Sequence, residues 1–447
     1  MLILASCSTA QEGHSATYFG GHIKNPKNSF ITLSKNDVVI DTMYLDNENN
    51  FITQLDTHTH GLYMFNHGLE YQYVYFEPRD SILIHLNTWD FDESLVFSGK
   101  GAQKNNFLIG LYLQNEKEEH EISPYYNQVP FRFEEKIQSN ISLNNFLYQQ
   151  MLESGTEVSE EFDELAQVAI NYPMYKLLES YPYIHKSRFQ LEDYPELSAT
   201  YYDFRQGIDM NNEQLIDFAP YYSYINIYIH ALARSDKDKH ENTSVAILNT
   251  IDKHIEVERF KNTLLRQVVY GNFRNKPGAC SIDIEVLETF NALCSNNKMK
   301  EQINALAEDC EKIVHNKSLD NFEIIDVNNN TLRINKVVKN KNTVIYFWSP
   351  ELISPDMLIK RVKYLEKKYP DLMFVGINLE PTEFSNLKLN NTLKHQYFLT
   401  EDSSAHGFVK SLEPRTILID RNGKVTNSFT YLSSPYLERQ LTVLIKN

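Results

Sequence analysis

Apolar and polar residues alternate in short runs over the first hundred or so positions, in "SFITLS", "VVIDTMYL", "NFITQL", "YQYVYFEP" and "DSILIHL". Successive side chains of a strand point to opposite faces, so these runs predict half-buried strands broken by Asn, Asp, Gly and Pro turns. An antiparallel β-sandwich-like domain over 18–104 follows. Asp46-Asn47-Glu48-Asn49-Asn50 lacks the Gly and the distal Glu of an EF-hand loop and reads as a hairpin turn. His58 and His60 stand at period two on one strand face, the spacing of a surface pair, with no further metal ligand evident nearby.

Between residues 105 and 317 the period changes. "EEFDELAQVAINYPMYKLLESYPY" and "FAPYYSYINIYIHALARS" carry apolar residues at helical spacing, and their aromatic stripes read as packing between helices. "IDIEVLETFNALC" and "MKEQINALAEDCEKIV" predict two helices joined at Ser295-Asn296-Asn297. Folded antiparallel, they bring Cys280 near Cys310, a candidate disulfide, and leave Cys294 by the turn. None of these cysteines is in a CxxC arrangement, so neither a redox motif nor a zinc site is read, and no metal or cofactor is expected.

Residues 318–447 predict an α/β domain. "NFEIIDVNNNTLRI" is a hairpin with an Asn-rich turn, "NTVIYFW" a buried strand, and the stretch from Pro355 to Lys368 a helix. Ser354 suits the N-cap, Pro355 the first helical position, and Asp356 the positive helix end. "LMFVGINL" is a continuous apolar run of the kind found in central parallel strands. "PRTILIDRNGKVTNSFTYL" is a strand, an Asn-Gly turn and a second strand, and "SPYLERQLTVLI" closes the chain as a helix capped by Ser434.

Charge and composition narrow the function. A net charge of -16 over 447 residues argues against a nucleic-acid partner, because no excess of cations is on hand to release phosphate counterions. The 28 Tyr and 25 Phe supply large burial energies, which excludes a disordered chain. Near the start, "LASC" resembles the lipobox of bacterial lipoproteins. That resemblance implies acylation of Cys7, with residues 1–17 a signal remnant and tether, and Ser8 permitting outer-membrane sorting.

Phe347-Trp348 before the helix and "EPRTILIDRNGKV" after it resemble the thioredoxin-like envelope proteins of the TlpA type, over residues 318–447. The resemblance implies a thioredoxin-like fold, a periplasm-facing location and a cis-proline at Pro414 facing the active-site loop. Laid on that family's motif, Glu351 takes the place of the second Trp, Leu352 of the first Cys and Pro355 of the second. Thiol-disulfide exchange needs an attacking thiolate and a resolving thiol, and neither Leu352 nor Pro355 supplies one. Ser354 has no His or Lys beside it in the motif and reads as a helix cap rather than a nucleophile. Two functions stay open. One is a non-catalytic lipoprotein whose groove, from Trp348, Glu351, Leu352, Ser354, Pro355, Asp356, Glu413 and Pro414, holds an envelope protein or a cationic peptide. The other is an enzyme, using cysteines outside the motif or an interdomain site. Burial of those cysteines, or a disulfide among them, counts against the redox version.

Overall fold

The computed structural model describes residues 16–36, 38–56, 58–68, 70–235, 242–274, 283–350, 353–379, 392–409 and 415–446. The chain divides into two compact units, Met1–Ala231 and Leu232–Asn447, so the helical stretch of the sequence is shared between them.

In the first unit, strands β1 (Thr17–Lys24), β2 (Phe30–Lys35), β3 (Val38–Tyr44), β4 (Asn50–Leu55), β5 (Gly61–His67), β6 (Glu70–Phe76), β7 (Ser81–Asn87) and β8 (Val96–Lys100) build two sheets, in the orders β4-β1-β7-β8 and β3-β2-β5-β6. Phe19, Ile31, Phe65, Val74 and Ile82, which belong to both sheets, share one core. The expectation of an all-antiparallel sandwich needs one correction: β1 and β7 run parallel, Phe19 opposite Ile82. Parallel neighbours need a long crossover, and here the chain builds the whole of the second sheet before returning. Period two gave the strands but not this pairing.

The two histidines are also placed differently from expectation. His58 and His60 lie in the turn between β4 and β5, not on a strand. His58 is exposed, with its N–H on Asp56 Oδ1 at 2.8 Å, and the His60 ring packs edge-on against Tyr75. The turn after β3 forms as expected, with the Glu48 and Asn50 N–H groups donating to Asp46 Oδ1 at 2.8 and 2.9 Å and Asn49 left-handed at φ 63°.

Helices α1 (Phe91–Ser94), α2 (Ala102–Glu121), α3 (Pro130–Glu153) and α4 (Glu160–Phe189) complete this unit, and α5 (Ala219–Ser235) leads out of it. α2 packs against β6 and β8 on one side and α3 and α4 on the other. Ser159 caps α4 through its hydroxyl, and Gly101, at φ +93° before α2, sits in the left-handed region, where a Cβ would also crowd the Asp80 carboxylate. Beside it Lys104, 3% exposed, pairs with Glu77 at 2.5 Å and Asp80 at 3.7 Å, a buried cation with its charge partners in place.

The second unit opens with α6 (Thr243–His254), α7 (Glu258–Arg274), α8 (Ile284–Leu293) and α9 (Asn297–Lys312); α8 and α9 both pack on α7 and are tied to each other by Asn291 Nδ2 donating to Asn304 Oδ1. The remainder is an α/β body of β9 (Glu323–Asp326), β10 (Thr331–Arg333), α10 (Ile334–Val338), β11 (Thr343–Trp348), α11 (Pro355–Lys368), β12 (Met373–Asn378), β13 (Gln396–Leu399), β14 (Arg415–Ile419), β15 (Val425–Thr430) and α12 (Leu437–Lys446). Its sheet runs β10-β9-β13-β12-β11-β14-β15, with β11 parallel to β12 and antiparallel to β14. A central strand, a helix, a parallel neighbour, then an antiparallel hairpin and a closing helix make this the thioredoxin-like fold that the resemblance implies. Every residue of β11 is buried, and its alternation feeds two cores: Ile345 and Phe347 face Phe322, Val338 and Phe408, while Val344, Tyr346 and Trp348 face α11 and α12. Among the described residues no helix is long and apolar enough to cross a membrane.

Candidate functional site

In the thioredoxin-like body the position to inspect is the junction of β11 and α11. Trp348 ends the strand in the core under the two helices, 3% exposed, with its carbonyl accepting from Leu379 N–H at 2.9 Å. It offers no open face to a partner. Ser349 is buried too, and its carbonyl takes the Ile353 N–H at 3.1 Å.

The helix start follows from three residue types in a row. Ser354 is extended, and its hydroxyl accepts the Met357 N–H at 3.3 Å, which satisfies one of the orphan donors of the first turn. Pro355 begins the helix, where its missing N–H costs nothing. Asp356 is exposed in the first turn, beside the positive helix end. The Ser354 hydroxyl is thus engaged in capping. Glu351, Leu352, Glu413 and Pro414, which the alignment puts around the same loop, lie outside the described residues.

The cysteines do not replace the missing pair by any feature of the described residues. Cys310, buried on α9, is disulfide-bonded; Cys280 and Cys7 lie outside the described residues. Cys294 is a free thiol, 1% exposed, and burial pushes its pKa up. A thiol that is shielded and held in its protonated form is a poor nucleophile. Among the described residues no group of three or more His, Cys, Asp or Glu side chains is placed to hold a metal ion.

One residue of this body went unread in the sequence. Arg415, directly after Pro414, opens β14 in phase with Ile417 and Ile419 and points into the core, 2% exposed. Its guanidinium donates to the Ser428 carbonyl at 3.0 Å, the Phe408 carbonyl at 2.8 Å and the Asp309 carbonyl at 3.2 Å. It therefore fastens α9 to the sheet next to the bonded Cys310. Burial pushes the guanidinium pKa down to about 10, against the pull of the nearby Asp309 carboxylate. A charged residue in register with two core isoleucines was the available signal.

The first unit contains a different kind of place. A cavity of about 400 Å³ opens where β6, α1, α2, α4 and the start of α5 meet. That is the size of a small-molecule site. Phe91, Ile109 and Phe218 form buried apolar wall, Tyr71 and Tyr112 are exposed at it, and Asp92 and Glu116 bring carboxylates. These residues are spread over more than a hundred positions, so no motif in the sequence gathers them.

No protein-family model matches the chain, and no curated protein matches it. Solved structures do. A thioredoxin-like protein from Bacteroides caccae is 15% identical, with 55% of this chain and 90% of that one covered and a TM-score of 0.30. A thiol:disulfide interchange protein from a Bacteroides species is 18% identical over 30% of this chain and 93% of its own, with a TM-score of 0.25. The thioredoxin domain of a thiol-disulfide oxidoreductase from Bacteroides vulgatus is 19% identical over 29% of this chain and 99% of its own, with a TM-score of 0.24.

Proposed function

We propose that this protein is a redox-silent, lipid-anchored envelope protein that binds a peptide or a partner protein. The observation that carries the proposal is the start of α11, where the second thiol position of the TlpA-type motif is Pro355 at the first helical position, preceded by Ser354 as cap. The first thiol position is Leu352. A fold that keeps the strand, helix and hairpin but has no nucleophile at the loop retains a surface for an extended chain without the exchange chemistry. Acylation at Cys7 would hold the protein at the outer membrane, and Cys280 is the proposed partner of the bonded Cys310, as suits an oxidising compartment.

By the TlpA-type alignment Glu351, Asp356 and Glu413 would surround the proposed groove, which would then favour basic extended peptides and lose affinity as salt rises. The test titrates basic and acidic extended peptides of equal length into the full chain and into Glu351→Lys/Glu413→Lys. Preference for the basic peptide, lost in the variant, supports the proposal. Equal binding of both peptides, or a variant that binds like the parent, defeats it. Two further readouts check the setting: labelled palmitate incorporated by the parent and absent from Cys7→Ser, and a Cys280–Cys310 peptide recovered by non-reducing digestion.

A further inference from the structure

The cavity of the first unit is rich in hydrogen-bond acceptors and negative charge, part of which the fold leaves unused. Four carboxylates line it: Glu70, Asp92, Glu116 and Glu119. Glu70 is paired with Lys27 at 2.7 Å and Glu119 with Lys176 at 3.1 Å. Asp92 and Glu116 have no ion-pair partner among the described residues; Asp92 Oδ1 accepts only from Gln72 Nε2 at 3.0 Å, and Glu116 Oε1 from the Tyr112 hydroxyl at 3.1 Å. Asn115 also lines the cavity, and its Oδ1 is buried with no hydrogen-bond partner. Buried polar atoms are nearly always satisfied, so an orphan acceptor beside a cavity points to a donor that belongs there.

A proline interrupts the helix that forms one wall. Pro173 lies inside α4 and has no N–H to give the Ala169 carbonyl four residues back, and both residues line the cavity. Phe91 and Phe218 supply apolar wall, and the exposed Tyr71 and Tyr112 add aromatic rings to the lining, a residue type whose faces attract cations. Burial and the neighbouring carboxylates Glu116, Glu93 and Glu70 hold the Asp92 carboxyl above its ordinary pKa in spite of its bond from Gln72, a cost that a bound cation would relieve.

We infer that this cavity binds an organic cation, an ammonium or guanidinium on an apolar or aromatic stem, with the charge at Asp92 and Glu116 and the stem along Phe91 and Phe218. The lining also holds the hydroxyls of Ser223 and Tyr71 and the Glu119-paired Lys176, but its charged groups without an ion-pair partner among the described residues, Asp92 and Glu116, are both acceptors, so a cation that donates hydrogen bonds matches it better than an anion. The site is separate from the proposed groove of the thioredoxin-like body and does not depend on it.

Calorimetric titration of the full chain with tyramine, tyrosol and 4-hydroxyphenylacetate tests the inference, because these phenols are close in size and differ in carrying an ammonium, a hydroxyl or a carboxylate. Tyramine is expected to saturate a single site and to bind about tenfold or more tightly than either of the others, the weight of one charge-assisted contact in a partly desolvated site. Asp92→Asn/Glu116→Gln is expected to remove that preference, and Glu351→Lys/Glu413→Lys to leave it intact. A parallel titration with an N-acetylated, C-amidated lysine tetrapeptide separates the sources: tighter binding than tyramine assigns the cation to a polypeptide side chain, weaker binding to a free amine, and both support the site. Equal affinity for the three phenols, absence of saturation by tyramine and by the peptide, or an unchanged preference in the folded Asp92/Glu116 variant would overturn it. The comparison among ligands on the unmodified chain decides the matter even if the variant fails to fold.

Discussion

At the start of α11 each described residue has a structural duty: Trp348 packs under the helices, Ser354 caps, Pro355 opens the helix and Asp356 sits at its positive end. In the cavity of the first unit the reverse holds, since Asp92, Glu116 and Asn115 carry polar atoms whose pairing the fold does not complete. The first place has the position of an active site in its fold, and its described residues offer no exchange chemistry; the second has left-over chemistry and no motif. A site is better recognised by the polar groups that folding leaves unused than by its place in a fold.

The sharpest way to break that comparison is at Arg415, a buried charge of the α/β body that the fold does satisfy. Arg415→Ala withdraws the donor from the buried carbonyls of Asp309, Phe408 and Ser428 and opens a void, so it is expected to cost about 3–5 kcal/mol in denaturant unfolding. Arg415→Met, which refills much of the space, should cost less. Equal losses would mean that volume, not the carbonyl cage, is what matters there.

The cap comes next. Ser354→Ala removes the acceptor for the Met357 N–H and should lower stability by about 1 kcal/mol without touching any ligand titration. If binding of peptides changes while stability does not, Ser354 belongs to a site and the comparison fails on that side.

The smallest effect has the opposite sign. The folded-state pKa of Asp92 is raised, first by burial and then by the neighbouring carboxylates. Between the ordinary carboxylate pKa and the raised folded value the native state binds more protons than the unfolded one, so this group makes stability fall as pH rises. Asp92→Asn removes the dependence and is expected to melt slightly above the parent at neutral pH, by no more than about 1 kcal/mol in stability, with the gain gone at pH values below the ordinary carboxylate range. A group retained against stability is one retained for a ligand; a variant less stable than the parent at neutral pH would mark Asp92 as structural.

How much of this was legible follows the same division. The α/β body announced itself because its signals are local: a continuous apolar run for each central strand, Ser-Pro-Asp for the helix start, Asn-Gly for the last hairpin. In the first unit alternation gave strands, but the parallel pairing of β1 with β7 is set by a crossover that spans the second sheet, and no window of sequence contains it. His58 and His60 kept the spacing of a strand while belonging to a turn, since two residues at period two cannot distinguish the cases. Arg415 was visible as a charge in phase with Ile417 and Ile419. The cavity was not visible at all, because Glu70, Asp92, Asn115, Pro173 and Phe218 come together only when five elements pack.

The central claim, that the thioredoxin-like body has lost exchange chemistry, is tested most directly by dithiol-driven reduction of a disulfide substrate with the full chain at catalytic concentration. The account predicts no turnover above the dithiol background and the same trace for Leu352→Ala. Turnover by the parent that Leu352→Ala abolishes would contradict it.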